Sequence, residues 1–251
     1  MATAAPAKSP ARIDYGIDAP GVIRNLAVAG LACLALSYFV HEVRLGPVIL
    51  EVKQMFINTG CGCLAGAVLM YVYARFGKFR HRDRMLQMIA WRGDERVLDV
   101  GTGRGLLAIG AAKRVPLGQV TGIDIWSTKD LSGNAIGATR ANIVAEGVAG
   151  NCAVENGDVR KLSFPDGSFD VIVNNLCLHN IPSAEERAVG CREIYRVLKP
   201  GGVAMISDFW RMREYRKTFS ETDAEVKWMG LDFLRTFPAL RIMMVKKPAR
   251  A

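Results

Sequence analysis

Two long apolar runs stand in the first third of the chain. Residues 26–40 and 56–74 are almost unbroken series of apolar side chains, and the segment between them mixes charged residues with the helix breakers Gly46 and Pro47. Each run approaches the roughly 20 apolar residues that a helix needs to cross a bilayer. We therefore predict a two-helix membrane hairpin over residues 21–76. The alternative is a helical hairpin that packs against the rest of the protein or lies in one leaflet, because the first run is short and glycines weaken the second.

The pattern changes after Arg84 to short apolar segments that alternate with helical ones. Strands are predicted at residues 96–100, 119–124, 152–156, 169–174 and 202–208. Helices are predicted between them at residues 106–115, 134–146 and 184–197, and a closing strand pair at 226–234 and 240–245. Such alternation is typical of an α/β fold, in which helices cover both faces of a mostly parallel sheet.

Three further segments of the chain can be distinguished by their amino-acid composition. Residues 1–20 are rich in Ala and Pro and poor in large apolar side chains, which predicts a flexible tail. Residues 77–95 are predicted to be a basic linker with a leading helix, and residues 96–251 the α/β domain. The six cysteines and three histidines of the 251 residues lack the spacing of a zinc site, so no metal is predicted.

The chain is basic, with 33 Lys and Arg against 24 Asp and Glu and a formal charge of +9. Two basic clusters stand out: Arg75, Lys78, Arg80, Arg82, Arg84, and Arg211, Arg213, Arg216, Lys217. Either they form an ordinary solvated face, or the first cluster, directly after an apolar run, attracts anionic membrane lipid. Because this cluster outnumbers Arg44 and Lys53 of the hairpin loop, we predict a membrane protein with its α/β domain on the cytoplasmic side. No recognised nucleic-acid-binding motif accompanies the charge, so no nucleic-acid partner is expected.

A glycine-rich turn follows the first predicted strand of the domain. Glycines permit a tight turn and close approach of a ligand to the backbone, and the next helix begins with unpaired N–H groups. Gly103, Gly105 and Ala108 also fit a dinucleotide pattern, with Asp124 about 20 residues further on to bind a ribose. Asp99, just before the turn, helps to distinguish a ligand with a cationic amine from NAD. Its carboxylate suits a cationic amine and would repel the pyrophosphate of NAD.

Four segments in order, VLDVGTGRG, VTGIDI, NGDVRKLSFPDGSFDVIV and REIYRVLKPGG, make residues 96–202 resemble the class I S-adenosylmethionine-dependent methyltransferases. The resemblance implies a Rossmann-like, doubly wound sheet of seven strands, mostly parallel with one antiparallel strand. It also implies S-adenosylmethionine as the cofactor, with S-adenosylhomocysteine as product.

Carried over by position, the resemblance implies a set of cofactor-binding residues. Those for the methionine portion are Asp99, Gly101, Thr102, Gly103 and Gly105; those for the ribose, the adenine and the methyl-transfer side are Asp124, Ile125, Trp126, Asp158, Val159, Asn174 and Asn175. Residues 126–133 depart from the family, which usually enters its next helix sooner. Trp126 in this insertion either stacks on adenine or packs against the sheet.

His179 and Asp208 follow strands on the side where the family often places substrate-facing residues. His179 either acts as a base or orients the acceptor, or it only bonds the backbone of its turn.

A membrane hairpin favours a lipophilic acceptor such as a lipid, quinone, isoprenoid or thiol. The alternatives are a methyltransferase acting on protein or RNA, an NAD-dependent oxidoreductase, and a binding module without activity. The hairpin could also pair two chains into a homo-oligomer.

Overall fold

The computed structural model describes residues 13–249. Two apolar helices come first: α1 spans Pro20–Phe39 and α2 spans Lys53–Val72. A short antiparallel hairpin joins them, with β1 at Glu42–Leu45 and β2 at Val48–Glu51, and Gly46 at its turn has a positive φ of 62°. Both helices begin earlier than the apolar runs that predicted them, and the β-hairpin was not predicted.

The second apolar helix does not end at the domain boundary. One π-helical turn, Tyr73–Gly77, connects α2 to α3 at Lys78–Gln87. The predicted linker is therefore helical over its first ten residues, because α3 has an apolar side, with Met85 and Leu86 fully buried in the core. A side chain at Gly77 would collide with the carbonyl of Arg235, so this glycine permits close packing of the turn on a later loop.

Both apolar helices are long and apolar enough to cross a membrane, and only 11% of each apolar window is buried within the protein. They pack against one another through glycines. A Cβ at Gly30 would lie 2.9 Å from the carbonyl oxygen of Gly60, and the reverse contact is equally close. Length and composition alone do not separate a membrane span from a signal sequence or a core helix, although low burial argues against the last of these.

The α/β domain has the predicted architecture. Its strands are β3 (Arg96–Val100), β4 (Gln119–Asp124), β5 (Cys152–Asn156), β6 (Phe169–Asn175), β7 (Leu198–Asp208), β8 (Glu225–Asp232) and β9 (Leu240–Lys246). Its later helices are α4 (Leu106–Ala112), α5 (Ile136–Ala145), α6 (Ala184–Val197) and α7 (Met212–Ser220), with a 3₁₀ turn at Leu178–Asn180. Within residues 13–249 the strands form one seven-stranded sheet in the order β5-β4-β3-β6-β7-β9-β8, in which only β9 is antiparallel to its neighbours.

The core lies on both faces of this sheet because neighbouring residues of a strand point in opposite directions. Val97 packs on the side of α3, α4 and α5, whereas Leu98 packs on the side of α6 and α7. From β3 the chain crosses to β4, which lies beside β3 on one side in the sheet. It later enters β6, which lies beside β3 on the other side. Ligands of open α/β sheets bind at the carboxyl ends of the strands beside such a switch point.

Residues 13–19 are ordered, which contradicts the prediction of a flexible tail as far as Pro20. Tyr15 is 7% exposed and packs edge-on against Phe79, 5.5 Å between ring centroids. The backbone of this segment bonds with the predicted insertion: Ser132 N donates to the Ile17 carbonyl and Ala19 N to the Asp130 carbonyl. The composition that predicted a tail belongs mostly to residues 1–12, which lie outside the described residues.

One member of the first basic cluster does not face solvent. Lys78 is 3% exposed and its Nζ donates to the carbonyls of Tyr15 and Gly16, at 2.9 and 2.7 Å, and to Asp18 at 3.1 Å. Lys78 therefore fits neither alternative given for this cluster, because a buried ammonium bonded to three oxygens faces neither solvent nor a membrane surface.

Candidate active site

A cavity of about 640 Å³ opens at the carboxyl ends of β3, β4 and β6. Its size falls in the range of small-molecule sites, about 300–1,000 Å³. The predicted residues that line it are Asp99, Gly101, Thr102, Gly103, Asp124, Ile125, Asp158, Val159, Asn175 and His179. Most of the residues chosen from the sequence are thus brought to one place.

The glycine turn wraps around the buried carboxylate of Asp99. One oxygen of Asp99 accepts bonds from Thr102 Oγ1 and from the N–H of Ala108, both at 2.8 Å. Burial nevertheless dominates and raises the pKa of Asp99 to about 7. A side chain at Gly101, where φ is 72°, would collide with Cys177, so the turn admits only glycine there.

Asp124 ends β4 and holds the turn from the other side. Its Oδ2 accepts the N–H of Gly103 at 2.7 Å, and its Oδ1 accepts the N–H of Trp126 at 2.6 Å and the amide of Asn134 at 3.2 Å. These bonds fix the carboxylate at the cavity wall, the position that a ribose-binding acid requires.

Asp158 lies at the end of β5, on the far side of the cavity from the glycine turn. Arg160 bonds both of its oxygens, at 2.6 to 3.0 Å, and this hydrogen bonding lowers the pKa of Asp158. Arg160 also contacts Glu186 at 2.9 Å. The carboxylate therefore stays ionised, as an acceptor for an amino group must. Val159 beside it is buried and lines the cavity.

Three of the predicted cofactor residues do not line the cavity. Gly105, with φ of 87°, begins α4 behind the turn. Asn174 is fully buried, and its amide donates to the Val100 carbonyl at 2.9 Å. Trp126 is partly buried against the core and donates to Asn156 at 2.7 Å, and stacking of its ring on adenine stays a prediction.

His179 and Asp208 form a pair at the edge of the cavity. His179 Nδ1 lies 2.9 Å from one oxygen of Asp208, which is fully buried, and Phe209 packs edge-on against the imidazole. His179 lines the cavity and Asp208 stands behind it. Within the described chain, Nε2 of His179 has no hydrogen-bond partner. With Nδ1 donating to the carboxylate, Nε2 carries the lone pair and can take a proton.

Several lining residues escaped the sequence analysis. They are Tyr15, Asp18, Val22, Met70, Tyr73, Phe237 and Pro238. The first group belongs to the N-terminal segment and the apolar helices, and the last two to a loop near the C-terminus. No local pattern marks such residues, because only the tertiary fold brings them to the carboxyl edge of the sheet.

The lining of the cavity is of two chemical kinds. Carboxylates, the backbone of the glycine turn and residues of the segments 13–19 and 126–133 form a polar part of it. The first turn of α1 at Val22 and the last turn of α2 at Met70 add an apolar part. The base of the apolar hairpin is therefore a wall of the site.

Within the described residues no group of three or more His, Cys, Asp or Glu side chains is placed to hold a metal ion. The prediction that no metal takes part stays a prediction.

Comparison with known proteins agrees with this geometry. Residues 97–202 match the family described as "Methyltransferase domain". An uncharacterised protein of Haemophilus influenzae is 32% identical over 156 residues, 59% of each chain. The ubiquinone/menaquinone biosynthesis C-methyltransferase UbiE of Pseudomonas fluorescens is 34% identical over 125 residues, 49% of this chain and 45% of that one. The matches thus span about half the length of these curated relatives.

Solved structures share the fold at low identity. The [4+2]-cyclase SpnF has a TM-score of 0.58 and 20% identity, covering 68% of this chain and 81% of that one. A SAM-dependent methyltransferase of Methanosarcina mazei has a TM-score of 0.52 and 22% identity, covering 64% and 95%. One neighbour is named a cyclase, so the fold alone does not fix the reaction. Residues 97–202 thus match a methyltransferase domain in sequence, and the solved structures share the fold of the seven-stranded sheet around it.

Proposed function

We propose that this protein transfers a methyl group from S-adenosylmethionine to a small lipophilic acceptor at a membrane. The observation that carries the proposal is that one cavity is lined both by a cofactor-type glycine turn and by the base of an apolar helical hairpin. A cofactor with a cationic amine and a ribose fits the polar part of the lining, and an apolar acceptor fits the apolar part.

The residues present fit the cofactor. The buried carboxylate of Asp99 suits the amine of its methionine portion, and the fixed carboxylate of Asp124 suits the ribose hydroxyls. Gly101 leaves space that a side chain would fill. An anionic pyrophosphate beside Asp99 would be repelled, which disfavours the alternative of an NAD-dependent oxidoreductase.

The side chains of this protein have three tasks in the reaction. Bound S-adenosylmethionine supplies a methyl group on a positively charged sulfur. The apolar walls hold the acceptor in line with that methyl group and exclude water. His179 Nε2 takes the proton that the acceptor loses, and Asp208 orients the imidazole and stabilises its charge. With the cofactor bound, its sulfonium would supply the methyl group and take back the bonding electrons, so that S-adenosylhomocysteine would be the product.

The acceptor is a reduced quinone or another lipophilic ring compound in this proposal. Two observations support it: the apolar lining residues Val22 and Met70, and a relative named as a quinone biosynthesis C-methyltransferase that is 34% identical over 49% of the chain. A lipid, an isoprenoid or a lipophilic thiol would also fit the apolar wall.

The hairpin anchors the protein in this proposal, with the α/β domain on the cytoplasmic side. The cations that remain exposed beside α2 and early in α3, Arg75 and Arg80, support this side by the positive-inside rule. In right-side-out vesicles, protease added outside is expected to leave the domain intact. Digestion of the domain would contradict the orientation.

The acceptor class is tested with tritiated S-adenosylmethionine and the detergent-solubilised full chain. A membrane lipid extract and a prenylated hydroquinone kept reduced are expected to gain label, with Asp124→Ala as the inactive control. Label in total RNA or cytosolic protein, without label in the lipid extract or the hydroquinone, would contradict the proposal and favour a macromolecular acceptor.

A further inference from the structure

The π-helical turn at the end of α2 brings a tyrosine into the site. Tyr73 is 6% exposed and lines the cavity, and its hydroxyl lies beside the side chain of Asn175 without reaching hydrogen-bond geometry with any of the described residues. Buried polar groups are nearly always paired, so an unpaired one in a binding cavity points to a missing ligand group.

A second unpaired polar atom lines the same cavity. Asn175 ends β6, and its Oδ1 is buried without a partner in residues 13–249. The side chain of Asn174 is turned to the Val100 carbonyl and does not line the cavity, so Asn175 alone of this pair reaches it. Tyr73 and Asn175 approach the cavity from the apolar hairpin and from the sheet respectively.

The position of Tyr73 is fixed by its surroundings. The π-turn contains one more residue per turn than the α-helix, and such turns are frequent at functional sites. Its last residue, Gly77, packs directly on the carbonyl of Arg235. The loop that follows Arg235 supplies Phe237 and Pro238 to the same cavity wall. The hydroxyl is therefore presented by a helical junction that packs directly on the α/β domain.

We propose that Tyr73 and Asn175 together bind a hydroxyl group of the methyl acceptor. The acceptor hydroxyl donates to Asn175 Oδ1 and accepts from the Tyr73 hydroxyl, while its apolar remainder lies along Val22 and Met70. The inference rests on the proposed function and narrows it. It favours phenols and hydroquinones over thiols, whose sulfur is a weak hydrogen-bonding partner. The apolar hairpin then has two roles, as an anchor and as part of the acceptor site.

The test compares Tyr73→Phe with Tyr71→Phe, a matched control on the same helix whose side chain is 50% exposed. Binding of 2-geranyl-1,4-hydroquinone, kept reduced, is measured by calorimetry on the detergent-solubilised full chain with S-adenosylhomocysteine present. Tyr73→Phe is expected to weaken hydroquinone binding about tenfold, which is the loss of one hydrogen bond. Tyr71→Phe is expected to bind as the native protein does.

Geranylbenzene lacks the hydroxyls, so its binding shows whether Tyr73→Phe loses a hydrogen bond or disturbs the packing of the cavity. The native protein and Tyr73→Phe are expected to bind it equally, and both variants are expected to bind S-adenosylhomocysteine with native affinity. The inference is overturned if Tyr73→Phe binds the hydroquinone as tightly as the native protein, if it loses the same factor for geranylbenzene, or if the native protein binds no hydroquinone. Failure of the native protein to bind S-adenosylhomocysteine would instead overturn the proposed function.

Discussion

The carboxyl group of Asp99 combines deep burial with only two hydrogen bonds to one oxygen, and burial raises its pKa to about 7. Because its pKa is about 7, the carboxyl group of Asp99 is mostly neutral below pH 7 and mostly ionised above it. Since the ionised form attracts a cationic amine, the affinity for S-adenosylmethionine is expected to rise between pH 5.5 and 7.5, at most about tenfold per pH unit.

Calorimetry across this pH range, with Asp99→Asn beside the native protein, checks the prediction. The variant is expected to bind weakly and without the rise, because its amide does not titrate. Equal native affinity at pH 5.5 and 7.5 would show that Asp99 does not control binding of the amine.

The second residue-scale prediction concerns the base. His179→Gln removes the proton acceptor and is expected to lower kcat by about 10²–10⁴-fold while the affinity for S-adenosylmethionine stays within twofold. His41→Gln, in the loop between the apolar helices, is the control and is expected to behave as native. Initial rates at saturating cofactor measure the effect. A kcat for His179→Gln within threefold of native would leave orientation of the acceptor, and not proton transfer, as its role.

Residues close to a recognisable motif were predictable, and residues far from one were not. Asp99, Asp124 and Asp158 each lie within two residues of the end of a strand whose apolar pattern is visible in the sequence, and all three line the cavity. Tyr73 lies within an apolar run where nothing distinguishes it from Tyr71. What separates them is the side of the helix that meets the domain, a tertiary property.

At the scale of elements, the bounds of the central strands were predicted well because buried parallel strands are short apolar runs between turns. Strand β7 begins at Leu198 instead of 202, since Leu198 pairs with Phe169 ahead of an irregularity in the ladder. Helix α7 was missed. Its charged residues were considered only as a basic cluster, although Met212, Tyr215 and Phe219 form one buried side at helical spacing.

Lys78 on α3 binds the N-terminal segment, residues 13–19, through three hydrogen bonds. Lys78→Met removes the donor for two carbonyls and for Asp18, so residues 13–19 are expected to detach. Hydrogen exchange of this segment is expected to rise at least tenfold, and cofactor affinity to fall, because Tyr15, Asp18 and Ala19 of the segment line the cavity. Arg80→Met, exposed on the same helix, is the control. Unchanged exchange in Lys78→Met would show that the remaining contacts, such as Tyr15 with Phe79, hold the segment by themselves.

At the scale of the whole molecule, the two apolar helices meet where glycines face each other. Gly62 and Gly66 have the spacing of a common close-packing motif of membrane helices. Yet a Cβ at Gly62 would meet nothing within 4 Å, and the tight contact is between Gly30 and Gly60. A small-residue pattern in the sequence does not say which glycine faces the partner helix.

Gly30→Leu is therefore expected to push the helices apart and to destabilise the hairpin by about 1–3 kcal/mol, the usual cost of overpacking. Gly62→Leu is the matched control and is expected to leave stability unchanged. Thermal unfolding in detergent, followed through helical circular dichroism, measures both. Equal midpoints for the two variants would contradict the glycine crossing.

The central claim, that the cavity is built for S-adenosylmethionine, is tested most directly by calorimetric titration of the detergent-solubilised full chain. S-adenosylmethionine and S-adenosylhomocysteine are expected to bind and NAD is not. Asp124→Ala is expected to abolish binding, whereas Asp94→Ala, at an exposed carboxylate remote from the cavity, is expected to preserve it. Binding of NAD alone, or of none of the three, would contradict the account.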